Sequence, residues 1–176
     1  MKNLEKGTPK LMHAWAFYDW ANSVYTLVIA STIFPIYYGA LFRQKEIEEI
    51  QLVGFTIQSD ALIPYVTAIG FLIIAFISPL LSGIADYLGN KKFFLQFFCY
   101  LGSISCMSLY FFSLENIVVS LLIYLLALIG FWGSLVFYNS YLPDIAPKEQ
   151  QDRISAKGFS LGYIGSVILL LICLAM

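Results

Sequence analysis

Asp19, Asn22, Ser23, Thr26 and Ala30 recur at three- and four-residue spacing in a stretch that is otherwise apolar. That spacing places them on one face of a helix, while Phe17, Val24, Leu27 and Val28 fall mostly elsewhere. A carboxylate, an amide and two hydroxyls in a row can hold a polar solute, accept a proton or close a gate. They do not make a bond-breaking centre. The single histidine, His13, lies in the tail, and no serine is paired with a base, so an enzyme reading has nothing to stand on. No CxxC accompanies Cys99, Cys106 and Cys173, so the sequence offers no metal site and implies no cofactor. Cys99 and Cys106 share a helix face and read as small core residues.

Asp19 carries the sharpest question. A carboxylate at the centre of a bilayer costs ~2.5–3.5 kcal/mol on insertion scales. Asp19 stands nine residues from Lys10, roughly 13 Å along a helix, which puts it nearer one interface than the midplane. One reading gives it a role in binding, proton coupling or gating. The other has it complement a helix N-terminus, flanked by interfacial Trp15 and Trp20.

The elements that must position these residues are membrane spans. Five apolar stretches fill the chain: Trp15–Phe42, Ala61–Ala85, Phe93–Phe112, Ile117–Tyr138 and Phe159–Met176. Each reaches or approaches the ~20 apolar residues that cross a ~30 Å hydrocarbon core. With 60% hydrophobic and 12% charged residues, the chain is not a water-soluble domain. The runs are too long and uniform for alternating barrel strands, so the fold class is all-α integral membrane. The first stretch is too long for a cleavable signal peptide and lacks a small-residue cleavage site.

Charge gives the orientation. Lys2, Lys6, Lys10, Lys91, Lys92, Lys148, Arg153 and Lys157 fall on one side, and only Arg43 and Lys45 on the other, beside Glu46, Glu48, Glu49 and Asp60. By the positive-inside rule the N-terminus is cytoplasmic. The net charge of −1 suggests no nucleic-acid partner. Without organelle-targeting features, the default location is a bacterial plasma membrane.

Between the spans, residues 43–60 are read as a solvated loop or a short surface helix. The link Ser113–Asn116 is short enough to make the third and fourth spans antiparallel neighbours. Residues 139–158 are read as the longest cytoplasmic connector, with Asp152 capping the fifth span. Pro35 is expected to kink or interrupt the first span. Gly158, Gly162 and Gly165, with Ser155 and Ser166, form a small-residue packing face on the fifth.

The loop Gly83-Ile-Ala-Asp86-Tyr-Leu-Gly89-Asn-Lys91-Lys92 reads as a tight inner turn. Gly83 would allow close helix approach, Gly89 a positive φ, and the lysines an interfacial anchor. It also resembles the loop motif of the major facilitator superfamily, with Tyr87 and Asn90 where basic residues are common. The segment Phe17-Tyr-Asp-Trp-Ala-Asn-Ser is similar to the opening signature of that superfamily's vacuole effluxer-like branch. Tyr138-Asn-Ser-Tyr-Leu-Pro-Asp-Ile-Ala and Arg153-Ile-Ser-Ala-Lys-Gly-Phe-Ser-Leu-Gly-Tyr-Ile-Gly165 resemble the same branch between its fourth and fifth spans.

The resemblance implies two pseudo-symmetric helical halves that rock about a solute held near the midplane. The five spans then correspond to an N-terminal half without its sixth helix, and the C-terminal half is absent. The implied function is transport of a small solute, with amino acids among the candidates; a proton is the default coupling ion because Asp19 is the only ionisable residue clearly within a span. Asp19, Asn22, Ser23 and Thr26 would line the cavity, joined by Tyr138, which repeats at four-residue spacing with Gly130 and Ser134. Gly83, Asp86, Gly89, Lys91 and Lys92 would form the cytoplasmic gate, Asp86 facing a helix N-terminus of the opposite half. The glycine face of the fifth span would meet that opposite half, or lipid or another copy if the half is missing. The alternatives are a transport-inactive truncation and a half-transporter that needs a partner chain.

Overall fold

The computed structural model describes residues 5–52 and 54–175, with the backbone alone for Asp86 and Leu88. Among these residues, five helices are long and apolar enough to cross a bilayer: Pro9–Gln44, Ser59–Ala85, Lys91–Phe111, Ile117–Ile145 and Lys148–Ala175. The elements are α1 (Pro9–Val24), a π-helical segment (Tyr25–Ile33), α2 (Phe34–Gln44), β1 (Glu49–Leu52), β2 (Phe55–Gln58), α3 (Ser59–Leu88), α4 (Lys91–Ser108), a 3-10 turn (Leu109–Phe111), α5 (Ile117–Ser140), α6 (Leu142–Ile145) and α7 (Lys148–Ala175). The chain divides into two compact units, one holding its N-terminal part through Ile36 and everything from Tyr138 onward, the other Tyr37–Phe137.

In the first unit, Pro9 opens α1 at a position where its missing N–H costs nothing. The helix is regular to Val24 and then widens into the π segment, which ends two residues before Pro35. Proline has no N–H, and its ring crowds the carbonyl four residues back. A wide turn ahead of it relieves that clash without ending the helix. Pro35 therefore neither ends the span nor interrupts α2. In the π segment the Thr32 hydroxyl donates to the Leu27 carbonyl at 2.8 Å.

α7 starts at Lys148, well before the apolar run at Phe159. The connector read over 139–158 is thus mostly helix: α5 continues to Ser140, α6 occupies Leu142–Ile145, and only a few residues are irregular. Asp152 consequently sits inside α7 and caps nothing. Residues 148–157 are mostly polar, yet the backbone hydrogen bonding of α7 runs through them.

The second unit packs α3, α4 and α5. Phe137 stacks on Phe94 at 5.2 Å and on Phe98 at 5.9 Å, with Ala85 completing the cluster. Gly102 and Gly130 bring the α4 and α5 backbones together, so that a Cβ at Gly130 would fall on the Gly102 backbone. The helices α4 and α5 are joined through Ser113, whose amide donates to the Ser120 hydroxyl at 3.0 Å. The connector read over 43–60 is neither a plain loop nor a separate surface helix: α2 runs to Gln44, α3 starts at Ser59, and two strands lie between. They fold into an antiparallel hairpin with Glu49 opposite Gln58 and Leu52 opposite Phe55, turning at Gly54 with φ +84. Ile50, Leu52 and Ile57 are half-buried, whereas Phe55 beside the turn is exposed.

Candidate functional site

The first unit is built around the packing of α1 against α7. Trp15, Tyr18, Asp19, Asn22 and Ser23 follow the α-helical period down α1. The Trp15 indole Nε1 donates to the Tyr138 carbonyl at 3.0 Å, and its ring stacks on Tyr138 at 4.2 Å with 10° between planes. Tyr18 stacks on the same tyrosine at 5.0 Å. Tyr138 is thereby fixed by two aromatic neighbours from α1.

Asp19 is 4% exposed, and its carboxylate is hydrogen-bonded to the Ser23 hydroxyl. It lies about three turns beyond Pro9, whereas a helix dipole acts within the first turn. The reading of Asp19 as a helix-end complement is therefore set aside.

The glycines of α7 admit this cluster. A Cβ at Gly158 would sit 3.1 Å from the Trp15 ring, 3.2 Å from the Tyr138 hydroxyl and 3.6 Å from Asp19 Oδ2. One at Gly162 would run into the Ser23 side chain and stand 3.1 Å from Asp19 Oδ2. One at Gly165 would meet the Trp20 ring at 3.0 Å. The small-residue face is thus covered by α1 of the same chain, which corrects the expectation that it faces lipid, another copy or an opposite half.

Three buried polar atoms here have no hydrogen-bond partner among the described residues: Asn22 Nδ2, the Tyr138 hydroxyl and Ser166 Oγ. Unmatched polar groups in an apolar setting are costly, typically ~1–3 kcal/mol each. Thr26 differs, because its hydroxyl back-bonds to the Ser23 carbonyl at 2.9 Å. It also follows the start of the π segment, where α-spacing no longer predicts the face. Trp15, Tyr18 and Ser166 belong to the cluster but were not singled out as site residues by the sequence. The only available signal was their spacing from Asp19 and Gly162.

The inner loop lies in the second unit. Gly89 ends α3 at φ +63, and the Asn90 amide reaches back to the Ala85 carbonyl at 3.2 Å, closing a Schellman turn. Lys91 and Lys92 occupy the first turn of α4, at the positive end of its dipole. No described atom lies within 4 Å of a Cβ at Gly83, so the close helix approach expected there does not occur among the described residues. The Asp86 side chain lies outside the described residues. Among the described residues no group of His, Cys, Asp and Glu could hold a metal ion.

Residues 7–176 match the family described as vacuole effluxer Atg22 like. The chain belongs to that family. Among relatives of this Atg22-like chain, the uncharacterized MFS-type transporter YxiO of Bacillus subtilis (strain 168) is 39% identical over 166 residues. That alignment covers 94% of this chain and 37% of the relative, so the chain spans little more than a third of the relative's length. No solved structure matches. With family membership and the helices above, the chain is a multi-pass, all-α membrane protein of the MFS type.

Proposed function

We propose that this chain is the solute-handling part of a small-solute transporter that works by alternating access, with amino acids as the solute class. One observation carries the reading. A carboxylate 4% exposed stands inside a membrane helix, beside the Tyr138 hydroxyl and Asn22 Nδ2, which have no hydrogen-bond partner among the described residues. Desolvating a carboxylate in this way is costly and is characteristic of solute and proton pathways.

In this reading Asp19 takes the coupling proton, and Asn22, Ser23, Thr26 and Tyr138 supply the polar wall that meets the solute. Gly158 and Gly162 keep that wall open by withholding side chains from α7. Gly83, Asp86, Gly89, Lys91 and Lys92 form the cytoplasmic gate, with both lysines in the first turn of α4. The lysine-rich tail faces the cytoplasm, and the protein resides in the plasma membrane.

The test is transport of a labelled amino-acid mixture by cells expressing the intact gene product or its Asp19→Asn variant. The variant should insert at wild-type level and lose transport by about tenfold or more, the scale of a lost proton-transfer group. Wild-type transport by that variant would remove Asp19 from the mechanism.

A further inference from the structure

A second feature of the first unit plays no part in the transport reading. Near the starts of α1 and α7, with Gly7 of the preceding tail, lies an open cavity of about 420 Å³. His13, Gln150, Arg153 and Lys157 line it, over an apolar floor of Met12 and Ile154. No carboxylate is among the described residues that line it. Glu149 and Asp152 lie on the same helix but do not line the cavity. The Lys157 ammonium donates to His13 Nδ1 at 3.0 Å, which ties the two helices together and leaves the imidazole Nε2–H as a further donor. The cavity therefore presents an ammonium, a guanidinium, an imidazole N–H and an amide, a donor set suited to a phosphate group.

The surface beyond the cavity is apolar. On α7 the face carrying Gln150, Arg153 and Lys157 continues through Ile164 and Ile168, which are 51% and 45% exposed. On α1 the residue one turn past His13 is Phe17, 61% exposed. Basic groups at the interface, followed by exposed apolar side chains within the membrane, match a phosphate headgroup joined to acyl chains. We propose that this cavity is a binding site for an anionic phospholipid, its headgroup held by Arg153, Lys157 and His13.

The test is native mass spectrometry of the purified chain with phosphatidylglycerol, phosphatidylcholine or inorganic phosphate. The chain should bind phosphatidylglycerol in preference to phosphatidylcholine, and added salt should weaken that preference. The R153Q/K157Q double variant should lose the preference by about tenfold, while K45Q, which is not among the residues lining the cavity, should keep it. Because both side chains are exposed, folding should survive. Should the double variant fail to fold, K157Q alone gives the same comparison. An unchanged lipid preference in these variants would overturn the site. Displacement of phosphatidylglycerol by inorganic phosphate at comparable concentration would overturn the lipid assignment in favour of a soluble anion.

Discussion

The Asp19 carboxylate is held by a small number of close contacts, and those contacts set the consequences of substitution nearby. A side chain at Gly162 must displace Ser23 and press on Asp19. Gly162→Leu should therefore destabilise the protein by ~1–3 kcal/mol, the usual range for overpacking. At Gly83 a Cβ meets nothing within 4 Å. Gly83→Leu should leave stability within about 0.5 kcal/mol of wild type while lowering transport, if the gate assignment is sound. Thermal unfolding of both variants in one detergent checks the contrast. Equal destabilisation would mean that Gly83 is a packing residue. At this scale the polar stripe of α1 was legible, because aspartate, asparagine and serine stand out against an apolar helix. Trp15 and Tyr18 were not, because aromatics are common at membrane interfaces and nothing local says that both stack on Tyr138. The α1 partners of Gly158, Gly162 and Gly165 were also hidden, since they lie more than a hundred residues away in sequence.

The elements follow rules that sequence reading captures unevenly. All five membrane-crossing helices could be anticipated, because a long apolar run in lipid can only be helical. Their ends could not, because hydropathy records the membrane boundary and a helix need not stop there. The early start of α7 at Lys148 and the displaced role of Asp152 both follow from this. The hairpin was missed because Glu46 and Glu48 before it and Glu49 within it dominate the segment and mask the alternation of Ile50, Leu52, Phe55 and Ile57. Pro35 was foreseen as a disturbance, and the chain answers it with a π segment. Pro35→Ala should restore a donor and allow regular α-helix through Tyr25–Ile33. Amide hydrogen exchange across that segment should slow in the variant. Unchanged exchange would mean that the wide turn is held by tertiary packing and not by the proline.

For the whole molecule, the account joins membership of the Atg22-like family to a polar cluster within the unit that packs α1 on α7. Eight of ten basic residues fall on one side of the spans, which predicts a cytoplasmic N-terminus; modification of a cysteine in the tail from the inner side only would bear this out. The central claim is that the cluster around Asp19 opens to water, as a transport pathway must, and is not a sealed packing core. Its most direct test is the reaction of a charged, hydrophilic thiol reagent with Asn22→Cys in membranes, with Cys99, Cys106 and Cys173 replaced by serine. Ile164→Cys, at a position 51% exposed on the apolar surface of α7, serves as the lipid-facing comparison. The account predicts that the cysteine at position 22 reacts readily and the one at position 164 does not. Equal inertness at both positions would contradict it, and would make the buried polar groups a device for helix packing alone.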